Sequence, residues 1–133
     1  DGNVPDSAPN ALSRAEIEAM AMEAVMAHER SLGNDPSDVS SEDRGYDIES
    51  RHSETGRLRF IEVKGRRADA RAITVTRNEI LSALNTGQSF ILAAVLVEDG
   101  RPQRPLYVPD PAHLFGSEPG FNEVHRAITI DSI

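Results

Sequence analysis

Ile17, Met20, Ala21, Ala24 and His28 recur at the three- and four-residue spacing of one helix face, and Ser13 with Glu16 makes an S-x-x-E capping box at their head. The spacing predicts a helix over 13–30, stopped by Gly33 and Asn34. A polar stretch follows, with a short strand expected at Val39. Alternation then predicts strands over 45–51 and 58–64, joined by the turn-forming residues 52–56 into a hairpin. After a basic loop, residues 73–76 read as a strand, and Thr76 with Glu79 repeats the capping box ahead of a helix that ends before Gly87. The apolar run over 90–97 has the length and character of a strand covered on both faces, so the sheet core is expected there. An edge strand at 105–108, a helical turn at 111–115 and a last strand at 128–130 complete the expectation. The fold class is α/β: a central mixed sheet of four to five strands flanked by helices.

Composition narrows this picture. At 133 residues the chain is one domain, expected over 11–133, while residues 1–10 are too polar to bury and read as a linker. Opening on Asp1 rather than Met predicts a piece of a longer polypeptide. With no cysteine there is no disulfide framework, no thiolate-held metal and no thiol nucleophile, and a cytoplasmic location is expected. The run over 90–97 is far shorter than the roughly 20 residues of a membrane-spanning helix. His28, His52, His113 and His125 have neither metal-ligand spacing nor a nucleophile partner, and read as structural or surface residues. No phosphate-binding G-x-x-x-x-G-K-[ST] loop is present.

The net charge of -8 taken whole argues against a nucleic-acid binder. It is unevenly spread. Residues 1–43 carry ten acids against Arg14 and Arg30, whereas 57–77 carry seven bases against Glu62 and Asp69. Charge alone fits a solvated, arginine-studded edge at least as well as a phosphate-binding surface.

Hairpin geometry adds chemistry. A turn centred between Glu54 and Thr55 sets Asp47 opposite Glu62, with Cβ atoms about 4.5–5.5 Å apart, a like-charge pair that a hairpin should avoid. A hard divalent cation reverses the sign, since carboxylate oxygens are what Mg2+ or Mn2+ prefers. Alternation puts Lys64 on the face of Glu62, with Ile61 and Val63 on the other. Lys64 is the one lysine beside 13 arginines, and a compact ammonium suits a developing phosphorane oxygen. Taken alone, Glu62 and Lys64 read more simply as a strand-surface charge pair.

A helix carrying Glu, then Gly-Tyr-Asp-Ile, then Phe-Ile-Glu-Val-Lys-Gly, resembles in its order the PD-(D/E)XK nuclease superfamily, with its α-β-β-β-α-β core. More specifically, DVS at 38–40, GYDIESR at 45–51, FIEVKGR at 60–66 and ITVTRNE at 73–79 are similar to the NO VEIN C-terminal domain family. The resemblance implies a restriction-endonuclease-like fold at the end of a larger helicase-like or defence protein. It implies Asp47 and Glu62 as metal-binding carboxylates, the Val63 carbonyl and Glu23 as further ligands, Lys64 as the catalytic lysine, and Mg2+ or Mn2+ as cofactor. Tyr46 stands where the superfamily often has Pro. The expected reaction is phosphodiester hydrolysis, with nucleic acid, DNA first, as substrate and Arg66, Arg67, Arg71 and Arg77 gripping its phosphates. The alternative is a non-catalytic module that keeps the fold to bind nucleic acid or protein. Glu16 and Glu79 are explained by their capping boxes, and Tyr46 and Phe60 by packing.

Overall fold

A computed structural model describes residues 12–116, 118–120 and 122–133; the expected linker at 1–10 lies outside the described residues. The chain runs as α1 (Arg14–Ser31), β1 (Asn34–Asp38), β2 (Ile48–His52), β3 (Leu58–Arg67), β4 (Ala72–Thr76), α2 (Arg77–Thr86), β5 (Phe90–Glu98), β6 (Arg101–Pro102), β7 (Leu106–Pro109), α3 (Ala112–Phe115) and β8 (His125–Thr129). Both capping boxes form: Ser13 Oγ accepts from the Glu16 N–H and Thr76 Oγ1 from the Glu79 N–H, while each glutamate reaches back to its cap.

The expected α/β architecture is present. The central mixed sheet has the order β1-β2-β3-β5-β6, with β7 also paired to β5; β3 and β5 are parallel and the other pairs antiparallel. The apolar run of β5 is covered on both sides, and its alternation sorts the core. Ile91, Ala93 and Val95 join Ala21 and Val25 of α1, whereas Phe90 and Leu92 join Ile80 and Ala83 of α2, Phe115 and Ile128. No helix among the described residues is long and apolar enough to cross a membrane.

Four expectations are adjusted. The strand expected at Val39 lies just before it as β1, an edge whose Pro36 and aspartates leave little apolar pattern to read. β2 begins at Ile48 because Gly45, at φ +85, bends residues 44–47 out of the strand. The strand expected at 128–130 is β8, which ends at Thr129; it pairs with β4 in a separate two-stranded sheet. On α1 the buried stripe is Ile17, Ala21, Val25 and Glu29, one position round from the predicted Ala24 and His28, so the helix turns a glutamate inward.

Gly65 sets how closely α1 lies on β3. A Cβ there would stand 2.7 Å from the Ala21 Cβ and 3.0 Å from the Ile17 carbonyl oxygen, so the helix backbone rests almost on the strand. Gly65→Ala is expected to destabilise the fold by about 1–3 kcal/mol through overpacking. Urea unfolding reads this as a lowered midpoint, and an unchanged midpoint would contradict the close approach.

Candidate functional site

The hairpin has the register that its turn predicts. Ile48 lies opposite Ile61 and Arg51 opposite Leu58, and one step beyond the ladder Asp47 comes opposite Glu62. The turn is tied by His52, whose Nδ1 accepts from the N–H groups of Glu54 and Thr55 at 3.2 Å each. At the other end Asp47 closes the hairpin twice. Its N–H donates to the Ile61 carbonyl at 2.8 Å, and its Oδ2 accepts from the Val63 N–H at 2.9 Å. Gly45 makes this possible by passing so near α2 that a Cβ would lie 3.2 Å from the Asn78 carbonyl oxygen. A strand residue directs its N–H and C=O to one edge, so the Val63 carbonyl shares the edge that Asp47 caps.

Glu62 is buried at 3 % exposure, on the face of β3 that meets α2. Lys64 follows it on that face, its Nζ 3.2 Å from Glu62 Oε2 and 2.9 Å from Glu79 Oε1. Two carboxyl groups therefore contact one ammonium, with Asp47 opposite Glu62 as a third acid close by, and full ionisation would leave an excess of negative charge in a poorly solvated place. Burial and the charges of Glu79 and Asp47 push the Glu62 carboxyl well above the usual range. Asp47 is raised too, chiefly by burial, with the Val63 N–H acting against it. For Glu79 burial works upward, but its hydrogen bond with Glu62, the Lys64 ammonium and the Thr76 N–H outweigh it and lower the value. Burial works to lower the Lys64 value, and the paired Glu62 and Glu79 outweigh it, so the ammonium stays charged. Of the three carboxyl groups Glu62 is the one held furthest toward its neutral form, because it is the most deeply buried and feels the charges of both Glu79 and Asp47.

Asp47, Glu62 and Lys64 form the floor of a cleft of about 1060 Å3, walled by the first turns of α1 and by the strand continuing through Gly65, Arg66 and Arg67. Residues 17–108 match the family described as Protein NO VEIN, C-terminal. The chain belongs to this family. No curated protein and no solved structure matches it. The matched part of this NO VEIN C-terminal domain runs from α1 to β7 and contains Asp47, Glu62, Lys64 and Glu79 together.

Asp47, Glu62, Val63 and Lys64 border this one cleft. Glu23 does not join them: it is exposed on α1, and the α1 carboxylates that line the cleft are Glu16 and Glu18. Of the four arginines, Arg66 and Arg67 line the cleft. Arg66 Nη1 donates to the Ala72 carbonyl at 2.5 Å and Arg67 pairs with Asp69 at 3.8 Å. Arg71 is exposed at the foot of β4, and Arg77 gives its Nη1 to the Gly120 carbonyl at 2.5 Å, away from the cleft. Tyr46 and Phe60 pack ring to ring at 4.9 Å against the core of the NO VEIN C-terminal domain.

The capping role of Glu79 is visible along the chain and hides its second partner, Lys64. The available signal was Lys64, whose ammonium has three donors and so has room for a second carboxylate beside Glu62.

Proposed function

We propose that this domain is a metal-dependent nuclease-like unit of the PD-(D/E)XK type, hydrolysing phosphodiester bonds of nucleic acid, DNA first, as the C-terminal part of a larger helicase-like or defence protein. The observation that carries the reading is the convergence of Asp47, Glu62 and Lys64 on the floor of one cleft. The element order supports it, since α1, β1, β2, β3, α2 and β5 run α-β-β-β-α-β with β4 as an addition.

The donor set suits a hard divalent cation. Among the described residues no group of three or more His, Cys, Asp and Glu side chains is arranged to hold a metal ion, and Glu79 is engaged by Lys64. Two carboxylates, Asp47 and Glu62, with the Val63 carbonyl match the sparse protein ligation that Mg2+ accepts when water and substrate phosphate supply the rest. Their mutual repulsion, which raises the Glu62 carboxyl, would be relieved by that ion. Bound there, Mg2+ or Mn2+ would supply a water made acidic enough to attack phosphorus near neutral pH. Lys64 faces the developing charge on the phosphoryl oxygens, and Arg66 and Arg67 hold flanking phosphates in a salt-sensitive, sequence-independent way. The acidic wall at Glu16 and Glu18 weakens unaided binding, which suits delivery of the strand by a neighbouring motor domain.

Calorimetric titration of Mn2+ should give binding heat in wild type and none in Asp47→Ala or Glu62→Ala. Lys64→Ala should keep the heat and lose cleavage of a labelled DNA duplex and single strand. Equal heats in all proteins would remove the metal site. A wild type that binds Mn2+ and DNA without cutting would establish the non-catalytic module instead.

A further inference from the structure

Glu79 is the acid of a capping box, yet its Oε1 accepts from two donors, the Thr76 N–H at 2.9 Å and Lys64 Nζ at 2.9 Å. We propose that Glu79 is the positioning residue of Lys64, fixing the ammonium at the cleft floor from the N-terminus of α2. This deepens the hydrolase reading and rests on it for the purpose of Lys64, while the contact itself stands independently.

Lysine ends in a flexible four-carbon stem, so one contact leaves its ammonium free to swing. Here there are two, Glu79 at 2.9 Å and Glu62 at 3.2 Å, and both are on the same face of β3 as the lysine stem. They are not equivalent. Glu62 is a proposed cation ligand and would be shared with a bound ion, whereas Glu79 has no such second claim on it and would remain the anchor. Glu79 is itself held at three points: its backbone N–H by Thr76 Oγ1 at 3.2 Å, its carboxylate by the Thr76 N–H, and its helix by Ile80 and Ala83, both fully buried. A capping box is a rigid local motif. Joining it to the lysine transfers that rigidity across the 15 residues separating them in sequence.

The two roles of Glu79 can be separated by substitution. Glutamine serves equally at this position of a capping box, so Glu79→Gln keeps the carbonyl oxygen that accepts from the Thr76 N–H, but a neutral amide holds an ammonium far more weakly than a carboxylate. Thr76→Val does the reverse, removing a cap hydrogen bond and sparing the carboxylate. Lys64 is the one lysine in the sequence, so isotope-labelled lysine gives a single side-chain ammonium signal in NMR. In wild type at neutral pH this signal should be ordered and slow to exchange. It should be lost in Glu79→Gln, with the backbone signals of α2 in place, and retained in Thr76→Val. An ammonium as ordered in Glu79→Gln as in wild type would overturn the proposal, as would a freely rotating ammonium in wild type, a result that needs no variant to fold. Mn2+ titrations of the same proteins keep the readings apart: the hydrolase reading fails on a wild type that binds no Mn2+, the positioning role on the lysine signal alone.

Discussion

Glu29→Ala is expected to destabilise the domain by about 3–5 kcal/mol, the cost of removing one member of a buried ion pair. Glu29 is fully buried near the end of α1, where Oε1 accepts from Asn34 Nδ2 at 3.0 Å and Oε2 from Arg59 Nη2 at 3.1 Å and the Tyr107 hydroxyl at 2.8 Å. One carboxylate thereby joins α1 to β1, β3 and β7. Truncation leaves three donors without their acceptor. The Arg59 side chain keeps 31 % exposure and can turn partly to water, which favours the lower end of the range. Its guanidinium also lies 5.5 Å over the Tyr107 ring, a contact that depends on the same anchor. Burial and the Glu29 hydrogen bond raise the Tyr107 phenol far above its ordinary value, so the hydroxyl remains a donor throughout the working pH range. Urea unfolding followed by circular dichroism should show a lower midpoint with an unchanged slope. A loss below about 1 kcal/mol would mean that the cluster is dispensable, as some buried ion pairs are when neighbours repack. Glu29→Gln, which keeps an acceptor oxygen, should fall between the two.

The site should impose the steepest pH dependence on the fold. Glu62 has an ordinary value of 4.5 and is raised well above it by burial and by Glu79 and Asp47. A carboxyl raised in the folded state favours folding most where it is protonated in both states. Its contribution is therefore complete below about pH 4.5 and is lost as pH climbs through the raised folded value. Asp47, raised from 3.8, adds in the same direction, while Glu79, lowered from 4.5, opposes it with a gain above that pH. Glu62 is the more deeply buried and dominates. In metal-free buffer, wild type should lose thermal stability between acidic and mildly alkaline pH, and Glu62→Gln, permanently neutral, should lose much less. Mn2+ should restore wild type at the alkaline end and leave the variant unmoved. Parallel pH profiles for the two proteins would show that Glu62 ionises in the fold without penalty, and would remove the electrostatic case for a cation there.

Much of the site is legible along the chain because it depends on one hairpin. A turn of known residues and a side-chain period of two bring Asp47 against Glu62 and put Lys64 on the same face. The bend at Gly45 takes Asp47 off the regular strand, yet its N–H bond to the Ile61 carbonyl keeps the register. Glu23 illustrates the limit. Helical spacing specifies which residues share a face, but not which face turns inward: on α1 the buried acid is Glu29, while Glu23 lies on the exposed side. Arg77 shows the same limit from the other side. Its charge suggests an anion, and a loop carbonyl 43 residues away takes it.

The chain by itself determined the helices with their capping boxes, the hairpin register and the meeting of two carboxyl groups beside a lone lysine, because each rests on interactions between near neighbours in sequence. Only the tertiary structure decided that Glu79 reaches Lys64, that Glu29 turns inward and that Arg66 and Arg67 border the cleft while Arg77 does not. Those outcomes follow from how α1 and α2 settle on opposite faces of β3 and β5. Packing of the whole core sets that geometry, and no local pattern carries it.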